Sequence, residues 1–111
     1  MTTKKKTAAK KKTTTALRAV IVRAYSGVFF GHLVSKTGTS VELRGARQVW
    51  SWDSAGLPEK AMTCGDLARI GVGTGSKIGG PADAVIEQVG AMFYATAEAA
   101  SVIGGQKWAT R

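Results

Sequence analysis

From Ala19 to Trp52 the chain reads AVIVRAYSGVFFGHLVSKTGTSVELRGARQVWSW, a series of short apolar runs broken by Ser26-Gly27, Gly38 and Gly45. Runs of Val, Ile, Phe and Trp separated by glycine turn signals describe an antiparallel meander. The first strand is expected over about 17–25. Val20, Val22 and Ala24 alternate there with Ile21, Arg23 and Tyr25, so both faces are largely apolar and the strand is central. A second strand follows over about 28–35, where Gly31 marks a bulge or a close approach of backbone. A hairpin turn at Lys36–Thr39 leads to a third strand, on which Val41 and Leu43 share a face. Gly45 then allows a kink before a strand from Arg47 to Trp52. Side chains alternate along a strand, so Trp50 and Trp52 are expected on one face, where two indoles either anchor the core or floor a binding surface.

The rest of the chain alternates breakers with short elements. Asp53 to Ala61 is a linker broken at Gly56-Leu57-Pro58. Thr63 caps a helix through about Ile70, with Asp66 in its first turn and Gly71 at its end. Gly71 to Pro81 (GVGTGSKIGGP) is expected to be a flexible loop. Ala84 to Tyr94 reads as one strand bent at Gly90. Thr96 caps a second helix from Ala97 to about Ile103, stopped by Gly104-Gly105. Trp108 is expected to fold back onto the body. The fold class is therefore mainly β (α+β): a small antiparallel sheet or open barrel of four to five strands, two short helices and a disordered basic N-terminal tail.

Charge divides the chain in two. The net charge of +9 over 111 residues is concentrated at the start, where residues 1–18 hold Lys4, Lys5, Lys6, Lys10, Lys11, Lys12 and Arg18 and no acid. The remainder carries only +2. Residues 1–16 thus form a Lys/Thr-rich tail, and 17–111 a single, nearly neutral domain. After Met1, residues 2–15 contain no large apolar side chain that could offset the entropy of ordering. Arg18 and Arg23 interrupt the apolar run that a secretory signal would need, and no run approaches a membrane span. The chain therefore reads as soluble and unsecreted.

Catalytic and metal chemistry find little support. Cys64 is the single cysteine and His32 the single histidine. Neither has companions at metal-ligand spacing, so no metal and no cofactor are expected. Asp53, Glu59 and Asp66 are explained by capping and loop solvation, and no nucleophile–base arrangement emerges. The glycine loop fails the phosphate-loop pattern, because Ser76 precedes Lys77 and Ile78 follows it. Its amides together with Lys77 remain a candidate anion cup.

Two features point to binding. The six tail lysines, in two triplets, form a cationic comb matched to nucleic-acid phosphates, without means to read bases. Its alternative role is as a solvating appendage. The second feature groups Trp50 and Trp52 with Arg23, Tyr25, Arg44 and Arg47. Aromatics beside guanidinium groups grip bases and phosphates, although indoles in a small domain also serve as core.

These residues resemble a family of small uncharacterised proteins of tailed phages and prophages, with the pattern R-x-Y-S-G-V-x-F-G-x-L followed by V-x-L-x-x-A-R-x-[VI]-W-x-W. The chain supplies Arg23, Tyr25, Ser26, Gly27, Val28, Phe30, Gly31 and Leu33, then Val41, Leu43, Ala46, Arg47, Val49, Trp50 and Trp52, with Thr96, Glu98 and Trp108 later. The lysine tail and the long glycine loop depart from it. The resemblance implies a phage setting, in the host cytoplasm or the virion, and brings no activity. The leading expectation is a non-enzymatic, oligomeric binding or assembly protein whose tail contacts nucleic acid without sequence specificity. The alternatives are a virion structural protein contacting neighbouring virion proteins, and an anti-defence protein that sequesters a small nucleotide signal in a pocket lined by Arg47 and an indole.

Overall fold

In a computed structural model the chain is described over residues 17–106; the tail lysines and Trp108 lie outside that range. The strands are β1 (Ala19–Ala24), β2 (Gly27–Thr37), β3 (Ser40–Ser51), β4 (Lys77–Ile78), β5 (Ala82–Ile86) and β6 (Val89–Tyr94). The helices are α1 (Cys64–Ile70) and α2 (Ala97–Gly104). Six strands form one antiparallel sheet in the order β4-β3-β2-β1-β6, with β5 pairing β3 beside β4. The sheet is unclosed, and its outer strands β5 and β6 are joined by Glu87-Gln88.

The apolar alternation of β1 does what a central strand requires. Val20, Ile21 and Val22 are all fully buried, because β2 and β6 flank β1 and both faces are covered. Ile21 joins Phe30, Val49 and Ile78 beneath Leu67 and Ala68 of α1 and Ile103 of α2. Val20 and Val22 join Val41, Leu43, Ala46 and Ile86 on the opposite face, where the strands themselves curl over the cluster. Each buried Val, Leu, Ile or Phe among them contributes about 1.5–3 kcal/mol by leaving water.

The β2–β3 hairpin is irregular at two places, between Phe30 and His32 and between Leu33 and Ser35. Phe30 pairs Arg47 and His32 pairs Arg44, so β3 carries one residue more than β2 across this step. Gly45, with φ of 64°, supplies the left-handed conformation that such a bulge favours. Opposite it, a Cβ on Gly31 would lie 3.1 Å from Leu43 Cβ and 3.2 Å from Ala46 Cα. Gly31 is thus a point of close approach, while the extra residue sits on β3. The kink expected at Gly45 is this bulge inside one continuous strand.

Three further expectations change. The single strand expected over 84–94 is two, because Gln88 adopts φ of 55° and turns the chain between β5 and β6. The strand count is therefore six rather than four or five. The glycine loop is also built into the body rather than flexible. Val72 and Ile78 belong to the core, and β4 within the loop pairs Val49 and Ser51 of β3. The helices match their signals. Thr63 and Asp66 form a reciprocal capping box, Gly71 closes α1, and Thr96 caps α2. The Asp66 carboxylate is held below its usual pKa, first by the Met62 N–H and then by Arg69. No described helix is long and apolar enough to cross a membrane.

The two crowding environments give a direct comparison. Gly31→Ala is expected to lower unfolding stability by about 1–2 kcal/mol, since its neighbours are a Cβ and a backbone carbon that cannot swing aside. Gly104→Ala, with nothing within 4 Å of the added carbon, is expected to be neutral or to add up to about 0.5 kcal/mol. Urea unfolding of the two variants measures the difference.

Candidate functional site

The candidate residues do not assemble as their sequence pattern suggests. Trp50 lies in a bulge, since Val49 pairs Ile78 and Ser51 pairs Lys77 with a shift of register between them. Strand β3 ends at Ser51, so Trp52 is no longer governed by its alternation. The two indoles consequently part. Trp50 is half-exposed and lines a hollow of about 270 Å³ with Phe29, Gln48 and Ala84. Trp52 packs against the helix-side core, and its Nε1–H donates to the Ala61 carbonyl at 2.8 Å.

Arg47 is a core residue, only 4% exposed. Its Nε donates to the Gly79 carbonyl at 2.7 Å, and one terminal nitrogen donates to Ile103 (3.0 Å) and Gly104 (3.2 Å) at the end of α2. Burial lowers its pKa from the ordinary guanidinium value. Arg47 therefore does not line a pocket with Trp50, and the nucleotide site drawn from Arg47 and an indole has no counterpart in the described residues. Arg44 is exposed opposite His32, at the far end of the sheet from Arg23.

The glycine loop is occupied by its own chain. Asp53 Oδ1 accepts from the Gly75 and Ala55 amides, and the Asp53 carbonyl accepts from Gly73 N–H at 2.7 Å. A Cβ at Gly73 or Gly75 would collide with the Asp53 carboxylate. The glycines thus make room for an internal anion, and an external phosphate would have to displace it. Lys77 stays exposed on the outer strand β4, three strands from β1.

Arg23 and Tyr25 do share a site. Arg23 lies on β1 between Val28 of β2 and Ala91 of β6, exposed, and among the described residues it makes no ion pair or side-chain hydrogen bond. It lines two hollows. One, of about 440 Å³, is bounded by Trp52, Met62, Cys64 and Phe93. The other, of about 520 Å³, is bounded by Tyr25, Gln88 and Gly90. Tyr25 stands at the tip of the two-residue β1–β2 turn, 91% exposed. Nothing in the sequence marks Met62, Phe93 or Gln88 as neighbours of Arg23, and Cys64 is marked there only as a lone thiol. Had the strand break at Glu87-Gln88 been recognised, period-two alternation across β6 would have set Ala91 and Phe93 beside Arg23.

The chemistry on offer is stacking and positive charge. Cys64 is half-buried, and burial raises its thiol pKa against a smaller opposing pull from Arg23. At neutral pH the thiol therefore keeps its proton and is a weak nucleophile. Among the described residues no cluster of His, Cys, Asp or Glu could hold a metal.

The family model described as Domain of unknown function (DUF6948) matches residues 17–103, well over half of the 111 residues. The chain belongs to this family. No curated protein and no solved structure matches it. The DUF6948 match spans the sheet, both hollows and most of α2, and it begins where the lysine-rich segment ends.

Burial of Cys64 sets an expectation for labelling. Iodoacetamide is expected to alkylate it more slowly at pH 8 than it alkylates free cysteine, with the rate still climbing above the ordinary thiol pKa. Arg23→Gln, which removes the charge that favours the thiolate, is expected to slow it further. Mass-spectrometric time courses across pH check both.

Proposed function

We propose that the protein is a non-enzymatic binding and assembly protein, of the phage type its motifs resemble, that holds nucleic acid through its phosphates without sequence specificity. The observation that carries the reading is the exposed, unpaired Arg23 shared by two hollows with aromatic walls. A guanidinium kept in water with no acid paired to it among the described residues is available to an external anion. The six lysines of residues 1–16 supply the long-range part of the attraction. Their contacts add affinity but carry no base information. The protonated Cys64 thiol favours binding over nucleophilic chemistry at this place.

Salt dependence tests the division of labour. With six lysine contacts, the plot of log affinity for duplex DNA against log salt has an expected slope of roughly −5, at about 0.9 per phosphate. Replacing Lys4, Lys5, Lys6, Lys10, Lys11 and Lys12 by Gln is expected to flatten the slope to about −1, the share of a single remaining cation such as Arg23. An unchanged slope in mobility-shift titrations would remove the lysines from the account.

A further inference from the structure

The two hollows beside Arg23 differ in character. On one side the walls are Trp52, Met62 and Phe93, with the indole fixed by its hydrogen bond to Ala61. On the other they are Tyr25, the Gln88 amide and the backbone of Gly90. Charge therefore sits between an apolar, aromatic recess and a more polar one ending in an exposed phenol ring. A duplex can use little of this, because its bases are stacked inside and it offers phosphates alone to such a surface. An unpaired strand can use all of it, since each freed base brings a π-face and each link a phosphate. The position of Tyr25 adds weight. With 91% of its surface in water, the ring has no packing role among the described residues.

We infer that the Arg23 groove is a single-strand site, in which an unpaired base enters the Trp52–Phe93 recess, its phosphate meets Arg23, and a neighbouring nucleotide lies along Tyr25. The inference rests on the nucleic-acid reading above and adds a substrate class to it. The tail lysines attract any polyanion, and the groove discriminates by whether bases are free to unstack. Arg23 lies about 13 Å along β1 from the point where the tail joins the sheet, at a strand rise of about 3.3 Å per residue. Tail and groove can therefore act on one strand.

The test uses the full chain and three probes: oligodeoxythymidine, oligouridine, and a mixed duplex of equal length. Affinities are compared at about 0.15 M salt, where lysine–phosphate attraction is weakened. Tyr25→Ala is the primary variant, because so exposed a side chain can be removed without cost to the fold; Arg23→Gln is the second. The expected result is tighter binding of at least one single strand than of the duplex. Tyr25→Ala and Arg23→Gln should then each weaken single-strand binding about fivefold or more, and Tyr25→Ala should weaken it by a larger factor than it weakens duplex binding. If Tyr25→Ala has no effect, or weakens duplex and single strand alike, the single-strand inference is overturned and the lysine–phosphate reading stands. If none of the three probes binds, both are overturned.

Discussion

Among the described residues a guanidinium buried among carbonyl oxygens, with no carboxylate paired to it, ties α2 to the sheet. Arg47 reaches from the middle of β3 to Gly79 after β4 and to Ile103 and Gly104 at the end of α2. The last carbonyls of a helix lack partners in the helix and carry its negative partial charge, so a cation placed there is favourable. The fork geometry matters as much as the charge. Nε and a terminal nitrogen point to different segments at once, which a single ammonium cannot do. Its remaining nitrogen, Nη2, is buried without a hydrogen-bond partner, so part of the desolvation cost is left uncompensated. Arg47 is for that reason a structural cation; its removal would take a donor from the Gly79 and Gly104 carbonyls and leave Ile103 with the Gln106 N–H.

This commitment shapes the functional surface. With Arg47 turned toward the helices, its neighbours Ala46 and Gln48 face the other side of the sheet, and the side chains beyond Val49 are redistributed by the bulge at Trp50. Trp50 goes to one side and Trp52 to the other, where it meets Arg23. Among the described residues Arg23, at the end of β1, has neither an acid nor a carbonyl cage, and of the exposed arginines it is the one that lines the hollow with Trp52. One strand thus supplies a cation to the core, and another supplies a cation to the surface.

Much of the architecture was legible because it rests on local rules. Central placement of β1 followed from apolar residues on both faces, and both helices followed from Thr63, Thr96 and the glycines that end them. The losses came where a rule of period two met a break in the ladder. The alternation that put Trp50 and Trp52 together fails at a bulge and a strand end, neither of which is encoded by any residue in VWSW. The turn at Glu87-Gln88 was missed because glutamine rarely takes a positive φ, so the sequence carries no turn signal there. The glycine loop looked flexible because glycine content is informative about backbone freedom but silent about a distant partner. Asp53, twenty residues upstream, is what makes those glycines necessary. The same limit applied to the arginines: alternation could not tell the caged Arg47 from the free Arg23, since burial at those positions depends on where α2 lands.

The most direct measurement follows the side-chain Nε–H signals of Arg23 and Arg47 by NMR while a single-stranded oligonucleotide is added. The Arg47 signal, bonded to the Gly79 carbonyl, should be sharp, protected from exchange with water and unmoved by the titration. The Arg23 signal should exchange freely in the unliganded protein, then shift and gain protection as the strand binds. A strand-dependent shift at Arg47 with Arg23 unchanged would contradict the account, because the caged cation and the binding cation would have been exchanged.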